Sequence, residues 1–160
     1  MLDKSMKTCE DSCNCFSKCS SNCEAMGEID ELTSLLGVIK ALGSQTLGLE
    51  INAIQSDLFK VNSELATKTV FVNERMLNKL KCNCNFVKNI IIMPTDFVIP
   101  GGSLISAYLD YARTVTRRCE RKLVKLNKEK EVDNPFLLEW INKLSYYLWL
   151  LARKEHENVK

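Results

Sequence analysis

Glycine and proline are scarce in this chain, six and three among 160 residues. A β-sandwich or barrel needs a turn every ~8–12 residues, so the scarcity favours long helices joined by short connections. Long apolar runs are missing too. Stretches such as Asn89-Ile90-Ile91-Ile92-Met93 fall far short of the ~20 apolar residues that span a bilayer, so no membrane segment is expected. Nor is there an excess of one charge, with 22 Lys and Arg against 20 Asp and Glu. A net charge of +2 gives no overall basic field for nucleic acid, and any anion site has to be a local cluster. The start, Met1-Leu2-Asp3-Lys4-Ser5-Met6-Lys7, lacks the apolar centre of a secretion signal, and the acidic, Cys-rich residues after it are unlike a transit sequence. A cytoplasmic protein is expected. Histidine occurs once, as His156 in a charged stretch where solvent exposure is expected.

What is plentiful is cysteine. Of eight, five lie at Cys9, Cys13, Cys15, Cys19 and Cys23, a pair at Cys82 and Cys84, and Cys119 stands alone. A reducing compartment disfavours a disulfide framework. Two readings of the N-terminal set stay open. Its thiolates suit zinc or an iron–sulfur cluster, although C-x3-C-x-C-x3-C-x3-C is a standard pattern for neither; the other reading is an exposed segment without metal. Residues 1–23 are polar and aperiodic and read as an irregular Cys-rich arm, and 24–160 as one helical domain. An apolar fraction of 46% over this length suits a single core.

Helical periodicity starts near Glu24, where Ile29, Leu32, Leu35, Leu36 and Ile39 recur at three- and four-residue steps up to Gly43. A second helix is predicted over Leu47 to Ala66, with Ile51, Ile54, Leu58, Val61 and Leu65 on one stripe. A third runs from Val72 to Lys88 through Met76, Leu77, Leu80 and Val87. Two prolines and a Gly pair in Met93-Pro94-Thr95-Asp96-Phe97-Val98-Ile99-Pro100-Gly101-Gly102 break the chain. Ser103 is a good N-cap for a fourth helix from Leu104 to about Leu126, with Ala107, Tyr108, Tyr111, Ala112, Val115, Cys119 and Leu123 as its expected buried face. Asn134-Pro135 starts the fifth, through Phe136, Leu137, Trp140, Ile141, Leu144, Leu148 and Leu151. The fold class is all-α: a five-helix bundle, mostly up-and-down.

The fourth helix carries an unusual density of arginine. Asp110, Arg113, Arg117 and Glu120 or Arg121 are three or four residues apart and stack along one face, with Arg118 about 100° further round. Guanidiniums on adjacent turns repel one another unless carboxylates or a bound polyanion compensate. A solvated face with internal Asp110 and Glu120 pairs is one reading. A phosphate-binding wall is the other, because arginine's planar donors match phosphate oxygens.

Phe97-Val98-Ile99-Pro100-Gly101-Gly102-Ser103, Ala112-Arg113-Thr114-Val115-x-Arg117-Arg118-x-Glu120-Arg121, Asn134-Pro135 and Ile141-Asn142-Lys143-Leu144-Ser145 resemble the PduO-type corrinoid adenosyltransferases. So do Gly27-Glu28-Ile29-Asp30-Glu31-Leu32, Ile54-Gln55-Ser56-Asp57-Leu58-Phe59 and Ser63-Glu64-Leu65-Ala66-Thr67. The resemblance runs in order from about Gly27 to Arg153. It implies a five-helix subunit in a homotrimer with sites between subunits, transferring the 5′-deoxyadenosyl group of ATP to cob(I)alamin and releasing triphosphate, with Mg²⁺ accompanying the ATP. By the same resemblance Arg117, Arg118, Glu120, Arg121 and Asn142 contact ATP, Arg117 stabilising the leaving group. Phe97 packs under the corrin ring, and Asp30 pairs with Arg113 across subunits.

Three departures stand out. Members of the family begin with a Thr-Arg/Lys-x-Gly-Asp-x-Gly-x-Thr segment around the triphosphate, where this chain has Cys9 to Cys23. A position usually histidine is Asp110, and the usual Asn-Arg-Leu-Ser-Asp reads Asn142-Lys143-Leu144-Ser145-Tyr146. The expected function is adenosyl transfer. The alternative is a non-catalytic corrinoid- or nucleotide-binding relative lacking the N-terminal ATP clamp.

Overall fold

The structure, a computed structural model, describes residues 20–157. Cys9, Cys13, Cys15 and Cys19 lie outside these residues. Five helices follow one another: α1 (Ser21–Leu42), α2 (Gln45–Thr67), α3 (Glu74–Ile90), α4 (Leu104–Lys128) and α5 (Pro135–Glu157). No strand occurs among the described residues, and none of the helices is long and apolar enough to cross a membrane.

Each helix starts where a short polar side chain can satisfy its orphan N–H groups. Ser20, Ser44, Asn73 and Ser103 accept from the backbone of Cys23, Leu47, Met76 and Ser106, and Ser106 returns the favour to complete a capping box on α4. Asn134 accepts from Phe136 N at 3.0 Å, with Pro135 in the first turn where its missing donor costs nothing. Ser20 explains why α1 begins about a turn before the apolar periodicity does. Gly43 caps the end of α1, donating its N–H to Ile39 O at 2.9 Å, and no side chain fits there: a Cβ would stand 2.9 Å from Ile39 O and from Leu47 Cδ2.

α1 packs on α2 and α4, and α5 on α4 and α3. Around the bundle the order is therefore α2, α1, α4, α5, α3. The paired residues fix the directions. Glu24 and Glu28 meet Lys122 and Arg118, and Asp110 and Glu120 meet Arg153 and Asn142, so α4 runs antiparallel to both neighbours. α5 packs between α4 and α3 and is buried through Leu137, Trp140, Ile141, Leu144, Tyr147, Leu148, Leu150 and Leu151. Packing decides one stripe against the expectation. On α4 the buried line is Leu109, Ala112, Val115, Cys119, Leu123 and Leu126, while Tyr111 is exposed and Ala107 and Tyr108 are half-buried. The face is rotated so that Asp110, read above as part of the arginine face, is buried.

A second buried polar group sets the end of the bundle. Glu64 Oε2 accepts from Phe71 N and Val72 N, each at 2.8 Å, and its Oε1 accepts from Asn134 Nδ2 at 2.7 Å. One carboxylate thus joins the end of α2, the α2–α3 connection and the start of α5, at a site where unpaired polar atoms would be costly.

The α3–α4 connection leaves Ile92, Phe97 and Ile99 almost fully exposed. Gly101 has φ +112, a conformation that side chains rarely adopt. Gly102 is needed for a different reason. A Cβ on it would lie 1.5 Å from Nδ1 of His156. His156 is thus not in solvent as expected but half-buried against this connection.

Candidate active site on the arginine helix

The arginines of α4 divide by direction. Arg118 points to α1, where its guanidinium is bonded to Glu28 and Glu31. Those two hydrogen-bonded carboxylates hold its proton even more firmly than usual. Lys122 adds a contact to Glu24 at 2.6 Å, and its ammonium draws that carboxyl below the ordinary range. Beneath this seam Cys119 Sγ donates to Glu28 O at 3.2 Å, and burial, then the Glu28 charge, pushes its thiol up to about 12. Cys119 is a core residue rather than a nucleophile.

Arg117 and Arg121 point outward. Both are exposed, and neither forms an ion pair among the described residues. Between them Glu120 Oε1 accepts from Asn142 Nδ2 at 2.6 Å, which ties the outer face of α4 to α5. Asn142 lies in the same turn of α5 as Ser145, whose Oγ donates to Asn142 O at 3.0 Å. The sequence-predicted residues Arg117, Glu120, Arg121 and Asn142 therefore share one surface, and Arg118 lies on the adjoining one.

Toward the start of α4 the charges are buried. Asp110 is bonded to Arg153 of α5, with both side chains in the core, and Arg113 Nε lies 3.6 Å from the other oxygen of Asp110. Arg153 also stacks over Trp149 at 5.6 Å. The Nε atoms of Arg113 and Arg153 are buried without hydrogen-bond partners among the described residues. Asp110, Arg113 and Trp149 form the floor of a cavity of about 250 Å³, roofed by Pro94, Asp96, Phe97 and Pro100 of the α3–α4 connection. The cavity brings Phe97 and Arg113 together, and Phe97 remains 93% exposed at its rim. Asp30 is exposed on α1 and forms no ion pair within the described chain.

Sequence reasoning missed the Asp110–Arg153–Trp149 group. Arg153 stands four residues after Trp149, directly following the apolar run Tyr146-Tyr147-Leu148-Trp149-Leu150-Leu151-Ala152, a signal that a buried cation needs a carboxylate nearby. Of the N-terminal cysteines only Cys23 is described, in the first turn of α1, and no group of three or more metal-ligating side chains occurs among the described residues.

Residues 3–155 match the profile of the cobalamin adenosyltransferase family. The chain is 36% identical to a corrinoid adenosyltransferase of Bacillus subtilis (strain 168) over 149 residues, 85% of this chain and 75% of that protein. It is 31% identical over 151 residues to the corrinoid adenosyltransferase PduO of Salmonella typhimurium, 89% of this chain but only 45% of that protein. Among solved structures it resembles a variant PduO-type adenosyltransferase from Lactobacillus reuteri complexed with ATP, with a TM-score of 0.86, 31% identity and coverage of 96% of this chain and 90% of that one. Another variant of the Lactobacillus reuteri enzyme, complexed with cobalamin and ATP, gives a TM-score of 0.82 at 32% identity, covering 90% and 82% of the two chains.

Proposed function

The chain belongs to the cobalamin adenosyltransferase family, and from that premise we propose that it transfers the 5′-deoxyadenosyl group of ATP to cob(I)alamin. The cobalt lone pair attacks the 5′ carbon, the Co–C bond forms, and the C5′–O bond breaks with its electrons leaving on triphosphate. Cob(I)alamin is itself the nucleophile, so the protein's work is to hold, orient and neutralise. The observation that carries this reading is the pair of outward, unpaired guanidiniums of Arg117 and Arg121 flanking the Glu120–Asn142 hydrogen bond.

Arg117 and Arg121 take the triphosphate oxygens, and Arg117 also receives the charge that grows on the leaving group. Glu120 can only accept, so it takes a donor of the nucleoside, with Asn142 holding its carboxylate in place. Arg118 is bonded to Glu28 and Glu31, and serves ATP by bracing α1 beside the site. Mg²⁺ would accompany the triphosphate, a small hard cation that keeps several waters and takes phosphate oxygens. Phe97 meets the corrin ring at the rim of the cavity above Arg113.

The assembly is a homotrimer in this reading, with Asp30 of one subunit paired to Arg113 of the next. Asp30 is exposed and forms no ion pair among the described residues, and the Arg113 side chain stays part-exposed although its Nε lies 3.6 Å from Asp110, which supports the pairing. The free thiols Cys23, Cys82, Cys84 and Cys119 suit a reducing cytoplasm. An anaerobic assay with reduced cobalamin and ATP, following the spectral change on Co–C bond formation, tests the proposal. Absence of product, together with absence of ATP binding by calorimetry, would falsify it.

A further inference from the structure

On the far side of the bundle from α4, α2 and α3 are not among the closely packed helix pairs, and a cleft opens between them. Its outer part, about 530 Å³, is lined by Asp57, Lys60, Phe71, Arg75, Met76 and Lys79. Its inner part, about 40 Å³, is lined by Glu50, Asp57, Lys79, Asn83, Trp140 and Tyr147. Asp57 and Lys79 belong to both, so the two are continuous.

The hydrogen-bonding capacity left over in this cleft is mostly of one kind. Asp57 Oδ1 is taken by Lys60 Nζ at 2.7 Å, and Glu50 by Tyr147 Oη at 3.2 Å and Lys154 Nζ at 3.3 Å. Arg75 and Lys79 form no ion pair among the described residues, and sit one helical turn apart on α3. At the inner end Trp140, only 1% exposed, has its Nε1 buried with no partner. A buried N–H without an acceptor is costly, and indole can only donate. Asn83 can serve either way. In the outer part Arg75, Lys79 and Lys60 outnumber the one carboxylate, Asp57, and leave positive charge to be met; inside, beside Glu50 and Asp57, the indole N–H asks for a neutral acceptor such as water. Asn73, the N-cap of α3, also lines the outer part and adds the positive end of that helix.

We propose that the α2–α3 cleft binds a phosphate group, free or carried by a small molecule, with Arg75 and Lys79 supplying the charge. Trp140 supplies the inner N–H through one water, for which the inner cavity has room. Arginine and lysine together suit a doubly charged oxyanion. Phe71 and Met76 offer an apolar edge on which the organic part of a phosphorylated molecule rests. The site is independent of adenosyl transfer and of the reading given above for α4.

The test is an ¹H–¹⁵N NMR titration of the full chain, with inorganic phosphate in one arm and phenyl phosphate in the other. The Trp140 indole N–H is expected to shift and saturate while that of Trp149 stays put. The doubly substituted R75Q/K79Q variant, altered only at exposed positions, is expected to bind at least about tenfold more weakly, and R117Q as the wild type does. Tighter binding of phenyl phosphate assigns the site to a phosphorylated molecule, and equal binding assigns it to free phosphate. An unmoved Trp140 signal, wild-type affinity in R75Q/K79Q, or loss of the shift in R117Q overturns the proposal.

Discussion

Arg117 and Arg118 are neighbours in the chain and belong to different regions of the molecule. Arg118 faces α1 and finds two carboxylates, so its charge is spent inside the fold. Arg117 is about 100° away on the same helix, finds none, and keeps its donors for something else. The same residue type is structural on one face and available on the next, and what separates the cases is which helix is opposite. The Asp110–Arg153 pair is a third situation, a charge pair closed off in the core.

The largest expected effect comes from breaking the closed pair. Asp110→Ala leaves Arg153 charged and buried, and unfolding in urea is expected to be easier by about 3–5 kcal/mol. A loss under 1 kcal/mol would mean that water reaches Arg153. Next comes Arg117→Met, for which kcat/KM in the anaerobic assay is expected to drop ~100- to 1000-fold, the scale of losing one preorganised donor to developing charge, with the melting temperature nearly unchanged. If Arg118→Met caused the larger loss of rate at equal stability, the division between the two faces would be wrong.

Gly102→Ala should cost about 1 kcal/mol, at the low end of overpacking because the His156 ring lies near the helix end and can swing aside. His156→Ala in the same chain should restore the stability, which thermal melts of Gly102→Ala, His156→Ala and the double variant can check. Smallest is the acid response of the α1–α4 seam. Glu24 titrates below its ordinary range because of Lys122, so its contribution is present at neutral pH and fades as pH falls through the folded carboxyl's range. Lys122→Ala should flatten that part of the stability–pH curve slightly, and an unaltered curve would assign the pair no role.

Much of this was legible beforehand. Ser103, Asn134-Pro135 and Gly43 mark helix ends by local chemistry, which tertiary contacts had no reason to override. Arg117, Glu120, Arg121 and Asn142 were legible as a set because helical spacing and motif agree on them. The partners of Asp110 and Arg118 were not. Spacing alone offers Asp110 to Arg113 within its own helix, whereas Arg153, 43 residues away, makes the closer bond. The expected buried face of α4 failed at Tyr111 for a related reason: several apolar side chains lay on two overlapping stripes, and only the position of α1 and α5 chose between them.

The sequence by itself determined five helices, their caps and an arginine-dense fourth helix, because helix periodicity and capping act over a few residues. Only the tertiary structure decided which of those arginines are available, that His156 leans on Gly102, and that the α2–α3 side is left open with donors to spare. Those facts depend on what each helix meets across the bundle.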